Sequence, residues 1–269
     1  MPRIRTATPA DWAVFQRLAA AENWRISPAE RQLFRGSWAG YALALEIDGG
    51  WRGFVTAVPH ERSGWIGNLI VPPESRGRGY GRKLFVAALK RLERKGLNSL
   101  WLTASEDGRP LYEQYGFAKI DEIERWLGWG VGGDDNGFCN NEGLWLADSR
   151  AWGEKRRELL MTVAEHGRAF AVGDELLFVQ QLGDLHILGP WYTDESDPRI
   201  HRDLLRQALA AAAPGRELMA DTLASSPLRA LLAEAGFIPR GRTALMVRGG
   251  PGAARLQRMA ALASLGSVG

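Results

Sequence analysis

The chain has 269 residues, 45% hydrophobic and 24% charged, the make-up of a globular protein with room for one large or two medium domains. Its 34 Lys and Arg nearly cancel 31 Asp and Glu, and the net charge of +3 is too small a basic excess to point to nucleic acid. A single cysteine, Cys139, excludes an internal disulfide framework and fits a reducing compartment; with no signal pattern and no apolar run of about 18 residues, the expectation is a cytoplasmic chain that neither spans nor binds a membrane.

Residues 3–6 read as a short strand. Thr8-Pro9 supplies an N-cap and a first-turn proline for a helix carrying Trp12, Phe15 and Leu18. Ser27-Pro28-Ala29-Glu30 has the spacing of a capping box and opens a second, short helix. Residues 41–47 and 51–58, joined by Asp48-Gly49-Gly50, predict a hairpin. The apolar run 65–71 stops at Pro72-Pro73, and Arg76-Gly77-Arg78-Gly79-Tyr80-Gly81 follows. Directly after it Leu84, Phe85, Ala88, Leu89 and Leu92 share one helical face, and Gly96 ends that helix. A strand over 97–103, a short helix over 108–115 and a strand from Phe117 complete a first domain, 1–127. Residues 128–144, rich in Gly, Asn and Asp, predict a linker. Asp148 is placed to cap a helix over 149–165 within a second domain, 145–250, and 251–269 read as a C-terminal tail.

The two domains show an internal repeat at an offset near 120 residues. Leu84, Phe85, Ala88, Leu89 and Leu92 map onto Leu204, Leu205, Ala208, Leu209 and Ala212, and Gly116-Phe117 onto Gly236-Phe237.

Strand, glycine-rich turn and helix start form a recipe for an anion site. Glycines let backbone N–H groups converge, and a helix N-terminus adds unpaired donors and a positive dipole end. The turn has the wrong spacing for a dinucleotide fingerprint and lacks the Gly-Lys-Ser/Thr of a P-loop.

This turn, about 30 residues before Gly108-Arg109-Pro110-Leu111-Tyr112-Glu113-Gln114-Tyr115-Gly116-Phe117, resembles the GNAT superfamily of acetyl-CoA-dependent N-acetyltransferases over residues 3–127. The second half is similar, more weakly, to the C-terminal domain of tandem members. The resemblance implies an α+β fold of two tandem domains, each a mostly antiparallel twisted sheet flanked by helices. It implies acetyl-CoA with its pyrophosphate on Arg76, Gly77, Arg78, Gly79, Tyr80 and Gly81, and its pantetheine arm along Leu69, Ile70 and Val71. Tyr112 takes the family's general-acid position, since a phenol with a pKa of about 10 keeps its proton at neutral pH. The implied substrate is a small-molecule primary amine, with Glu22, Trp24 and Asn68 as substrate-side candidates. Trp126, Trp129 and the linker acids Asp134, Asp135 and Glu142 are further candidates for a cleft that attracts a cation. The base stays open among Glu22, Glu46 and a water chain. The second half has Leu232 where Tyr112 stands, and an acidic loop (Asp194, Glu195, Ser196, Asp197) where the phosphate turn stands, so it keeps the scaffold without the site. No metal is expected, His166, His186 and His201 showing no ligand spacing. The molecule is a monomer with an internal pseudo-dimer, or a homodimer. The rival reading is a non-catalytic acyl-CoA-binding or regulatory module built on the same turn.

Overall fold

The computed structural model describes residues 2–134, 137, 141–194 and 197–269; Asp135, Cys139, Glu195 and Ser196 lie outside the described residues. The first half runs β1 (Arg3–Thr6), α1 (Pro9–Ala21), α2 (Pro28–Arg35), β2 (Ala42–Ile47), β3 (Gly50–Pro59), β4 (Ser63–Ile70), α3 (Tyr80–Glu93), β5 (Ser99–Ala104), α4 (Arg109–Glu113) and β6 (Ala118–Trp129). The second runs α5 (Asn141–Trp152), α6 (Arg157–Glu165), β7 (Gly167–Val172), β8 (Glu175–Leu182), β9 (Leu185–Tyr192), α7 (Pro198–Ala210), β10 (Glu217–Leu223), α8 (Arg229–Glu234), β11 (Ile238–Arg248) and β12 (Met259–Ala261). The order of helices and strands from α1 to β6 recurs from α5 to β11.

Three local readings need correction. Asp148 lies inside α5 instead of capping a helix, because the chain breaks at Gly153, whose φ of +71° ends the helix before α6 begins. The linker is shorter than its composition implies: β6 continues to Trp129 and α5 begins at Asn141. Ser27 caps α2, its Oγ accepting from the Glu30 N–H at 3.0 Å, but the Glu30 side chain does not return to close the box.

The strands join in one twelve-stranded sheet, ordered β1-β2-β3-β4-β5-β11-β6-β10-β12-β9-β8-β7. The centre of that order is an exchange. β11 lies between β5 and β6, pairing antiparallel with both, and β6 in turn lies between β11 and β10. Each half's late strand therefore completes the other half's sheet. Separated, each half would leave one strand with no neighbour (β6 or β11) and a second with one open edge (β5 or β10), their N–H and C=O groups open to aggregation.

Three large apolar clusters follow the same plan. One packs α3 and α4 on the first half, where Leu84, Phe85, Ala88, Leu89 and Leu92 meet Leu43, Val55 and Leu102. These five α3 residues are the predicted face, and burial of each large side chain contributes about 1.5–3 kcal/mol. The second packs α7 and α8 with Leu204, Leu205 and Leu232 against Leu177 and Trp191. The third is shared by both halves and joins Trp12, Phe34, Trp65 and Trp101 to Trp152, Leu159 and Tyr192. The Trp65 and Trp101 rings stack at 6.5 Å, and Trp152 meets both edge-on. Behind Trp152 the Arg156 guanidinium lies 4.2 Å from its ring centroid and bonds Asp148, the Nε–Oδ2 distance being 3.2 Å. Tyr192 donates its hydroxyl proton to Asp148 as well. Asp148 and Arg156 are 0% and 1% exposed, so each depends on the other to offset the loss of water.

Asp148→Ala leaves Arg156 charged in a dry core and is expected to cost about 3–5 kcal/mol in urea unfolding. Residues 1–127 expressed alone, lacking β11 and β10, are expected to give no soluble monomer with a cooperative thermal transition; a monodisperse, cooperatively melting fragment by chromatography and circular dichroism would contradict the exchange.

Candidate active site

β4 and β5 run parallel but pair only at Ser63–Trp65 with Ser99–Trp101, and then diverge. Beyond that point Leu69, Ile70 and Val71 have no β5 partner among the described residues, although Ile70 still pairs with Phe54 on the other side. A register shift between Phe54 and Thr56 bulges β4, and Asn68 there takes φ +54°, turning its side chain out of the strand's alternation. At the end of β4 the prolines give a single 3-10 turn, Pro73–Ser75, before Arg76.

The turn that follows is open. Gly77 and Gly79 both have φ +75°, and nothing lies within 4 Å of where a Cβ would stand at either. Gly79 is the N-cap of α3 and no side chain caps it, so the first amides of a fourteen-residue helix face clear space. This geometry suits a phosphate. Arg78 is exposed and has no partner among the described residues, whereas Arg76 pairs with Glu22 and donates from Nε to the Val71 carbonyl at 3.1 Å. Glu22 thus belongs to the rim of the glycine turn, apart from the cavity described next.

A cavity of about 190 Å³ opens at the divergence of β4 and β5. The first half supplies Trp24, Gly67, Asn68, Leu69, Thr103 and Tyr112; the second supplies Asp221, Thr243 and the segment Leu265-Gly266-Ser267. Tyr112 is 9% exposed and held by Phe85 and Phe117, with ring centroids 5.0 and 6.4 Å away. Burial pushes its phenol up to about 12. Across the cavity Arg125 on β6 forms two parallel bonds of 2.7 Å with Asp221, its cross-strand partner on β10, and donates to the Leu265 carbonyl at 3.0 Å. Asn68 donates to the buried Glu30 and, at 3.3 Å, to Thr56. Gly67 is required here: a Cβ on it would stand 2.3 Å from the Ser267 carbonyl oxygen.

Of the predicted substrate residues, Trp24 and Asn68 line this cavity. Trp126 is buried against the α7–α8 cluster, Trp129 is exposed, and neither lines it. Asp134 and Glu142 are exposed and away from the lining. Seven of the eleven tryptophans are buried, so packing accounts for most of them. Glu46 pairs with Arg5 at the far edge of the sheet. No cluster of three or more metal-binding side chains occurs among the described residues, and no helix there is long and apolar enough to cross a membrane.

The second half treats the matching place differently. β9 and β10 pair in parallel only at His186–Ile187 with Leu218–Met219, then diverge as β4 and β5 do. Into that gap goes β12, bonded to β9 through Met259 and Ala261 and to β10 through Ala261. Leu232, in the place of Tyr112, is fully buried. The predicted tail is therefore structural: it fills one divergence and then lines the other.

Residues 10–117 match the model of the Acetyltransferase (GNAT) family. The chain carries a GNAT domain. The chain is 36% identical over 92 residues to a mycothiol acetyltransferase of Arthrobacter sp. (strain FB24), covering 31% of this chain and 28% of that protein. A [Ribosomal protein bS18]-alanine N-acetyltransferase of Haemophilus ducreyi is 34% identical over 56 residues, 20% of this chain and 39% of that one. The chain thus spans well under two thirds of the curated relatives it matches. In three dimensions it superposes on a crystal structure of a GCN5-related N-acetyltransferase from Sphaerobacter thermophilus with a TM-score of 0.65, at 15% identity over 92% of this chain and 95% of that one. A Pyrococcus horikoshii structure, named as a candidate acetyltransferase, reaches a TM-score of 0.83 at 18% identity over 99% and 95% of the two chains. At these identities the likeness is one of fold, and in both structures it extends over both halves of the chain.

Sequence reading missed the contribution of Arg125, Asp221, Thr243 and the last described segment. A usable signal existed in Met259-Ala260-Ala261-Leu262-Ala263, an apolar run that a solvated tail would have no reason to carry. Gly67→Ala must push the Ser267 backbone away, so it is expected to lower stability by about 1–3 kcal/mol and to widen the cavity. Urea unfolding reads the first effect and a crystal structure of the variant the second.

Proposed function

We propose that the GNAT domain is an acetyl-CoA-dependent N-acetyltransferase that acts on a small primary amine held between the two halves. The observation that carries this reading is one open glycine turn at an uncapped helix start, beside a divergence of parallel strands that ends at a buried tyrosine. The backbone amides of residues 77–81 and the free Arg78 receive the pyrophosphate, and the unpaired edge of Leu69, Ile70 and Val71 bonds the amide-rich arm as a strand would. The thioester so delivered supplies an activated acetyl group to the cavity. Asn68 and Trp24 face the acceptor, with Arg125 and Thr243 fixing its polar end opposite.

Tyr112 acts on the leaving sulfur. A free thiol has a pKa of about 8.5, so a phenol raised to about 12 does not give up its proton to a solvated thiolate. Inside the cavity the same burial raises both groups, and the phenol stabilises charge on sulfur by hydrogen bonding as the carbon–sulfur bond opens. The raised value also keeps Tyr112 protonated across any physiological pH.

The second half serves as scaffold and as one wall of the acceptor cavity. Its glycine turn is replaced, its divergence is filled and its tyrosine is a leucine.

Tyr112→Phe is expected to lower acetyl transfer by roughly 10²–10⁴-fold while leaving acetyl-CoA affinity within about twofold. Thiol release over a panel of primary amines measures the first and calorimetry the second. An unchanged rate would favour an acyl-CoA-binding module. Gly79→Val, by contrast, is expected to weaken acetyl-CoA binding by at least about tenfold, because φ +75° is closed to a β-branched residue and the side chain enters the phosphate's space.

A further inference from the structure

Glu30 is a buried carboxyl group just behind the cavity, 4% exposed, to which the reading above gives no task. It sits at the third position of α2, where it could have returned to the Ser27 backbone as a cap. Instead it turns toward the site. Oε2 accepts from the Ser267 hydroxyl at 2.8 Å, and Oε1 accepts from the Asn68 amide. Ser267 and Asn68 both line the cavity that Tyr112 lines.

The surroundings of Glu30 are neutral on every side. α2 offers Ser27 and Leu33, α6 offers Leu159, Thr162 and Val163, and β8 offers Gln180. β3 contributes Thr56 behind Asn68, and the chain after β12 contributes Ala263, Ser264 and Val268. None of these titrates. Burial without a cation pushes the Glu30 carboxyl up, despite the two hydrogen bonds that oppose the shift. A glutamine could accept from Asn68 and bond Ser267 without a charge to desolvate, so structure alone gives a carboxylate no advantage here.

We propose that Glu30, working through the Ser267 hydroxyl, takes the proton that the acceptor amine must lose before it can attack. The inference rests on the acetyl-transfer reading. The substrate ammonium gives a proton to Ser267 Oγ as the Ser267 hydroxyl proton passes to Glu30 Oε2, leaving a neutral amine, an intact hydroxyl and a protonated carboxyl. The amine nitrogen then bonds to the thioester carbonyl carbon and the carbon–sulfur bond breaks toward sulfur. Tyr112 hydrogen-bonds to that sulfur as it takes up the proton that the new amide nitrogen loses, and Glu30 returns its own to solvent through Ser267. The sum is an ammonium and a thioester giving an amide, a thiol and one released proton.

Two measurements on the full chain test this. First, the carboxyl infrared band of Glu30, isolated as the difference between wild type and Glu30→Gln, is followed from pH 4 to pH 9. It is expected to titrate above the ordinary carboxylate range and to move further up in Ser267→Ala. A band still protonated at pH 9 overturns the relay, because such a group cannot accept a proton; so does a midpoint that ignores Ser267. This arm decides the relay whether or not a given amine turns over.

Second, thiol release is followed with acetyl-CoA and glycinamide, a small amine with a carbonyl that Arg125 can meet. At pH 7 Glu30→Gln is expected to lose roughly 10²–10⁴-fold in kcat, the deficit shrinking roughly tenfold per pH unit as solvent takes over deprotonation. Ser267→Ala loses less and Ser267→Thr restores the rate. Acetyl-CoA affinity is unchanged, and the melting temperature of Glu30→Gln is equal to or above that of wild type. A deficit that does not vary with pH, or a melting temperature that falls with the rate, assigns Glu30 a structural role and overturns the relay. If wild type neither binds acetyl-CoA nor responds to Tyr112→Phe, the acetyl-transfer reading itself has failed, and the relay fails with it.

Discussion

Two strands, β6 and β11, are each built into the half of the chain to which they do not belong, and the rest of the molecule depends on that exchange. Their backbone pairing runs from β5 through β11 and β6 to β10, with two register shifts between β11 and β6. The halves cannot part without opening three ladders at once. The exchange also decides the content of the cavity. Arg125 stands directly opposite Asp221 because β6 pairs with β10, and Thr243 reaches the same space because β11 pairs with β5. A domain closed by its own strands would present a different wall to this cavity.

Several parts of this were legible in the sequence. Leu84, Phe85, Ala88, Leu89 and Leu92 announced a buried face by their period, and all five are buried. Thr8 and Ser27 announced two helix starts through the chemistry of their side chains, and both accept the expected amide. The glycine turn announced itself by composition, and its positive φ values follow from it. These are local signals, resolved within one or two turns of chain.

What stayed hidden was long-range. Nothing in the sequence of β6 or β11 says which half it will join. Asp148 looked like a cap because Asp favours caps, yet its partner Arg156 lies eight residues on and turns it into the centre of a buried pair. Glu30 looked like a cap for the same reason, while its partners Asn68 and Ser267 are 38 and 237 residues away. In both, a local preference described the residue type correctly and the tertiary partner reassigned it. The proposed chemistry uses that reassignment. Burial raises a phenol and a carboxyl on two sides of one cavity, so that the first keeps its proton and the second comes within reach of taking one.

The chain after β11 passes equivalent glycines in the two halves. Leu262 crosses Gly189 of β9, and five residues later Ser267 crosses Gly67 of β4, each with its carbonyl oxygen against the missing side chain. In the second half the occupant of the divergence is covalently attached. A tethered strand sits at an effective concentration that no free molecule in solution matches. Whatever free energy that groove offers to an extended amide backbone therefore appears as folding stability and not as ligand affinity. The same thread then reaches the open groove, so holding one half shut and shaping the other become a single mechanical act.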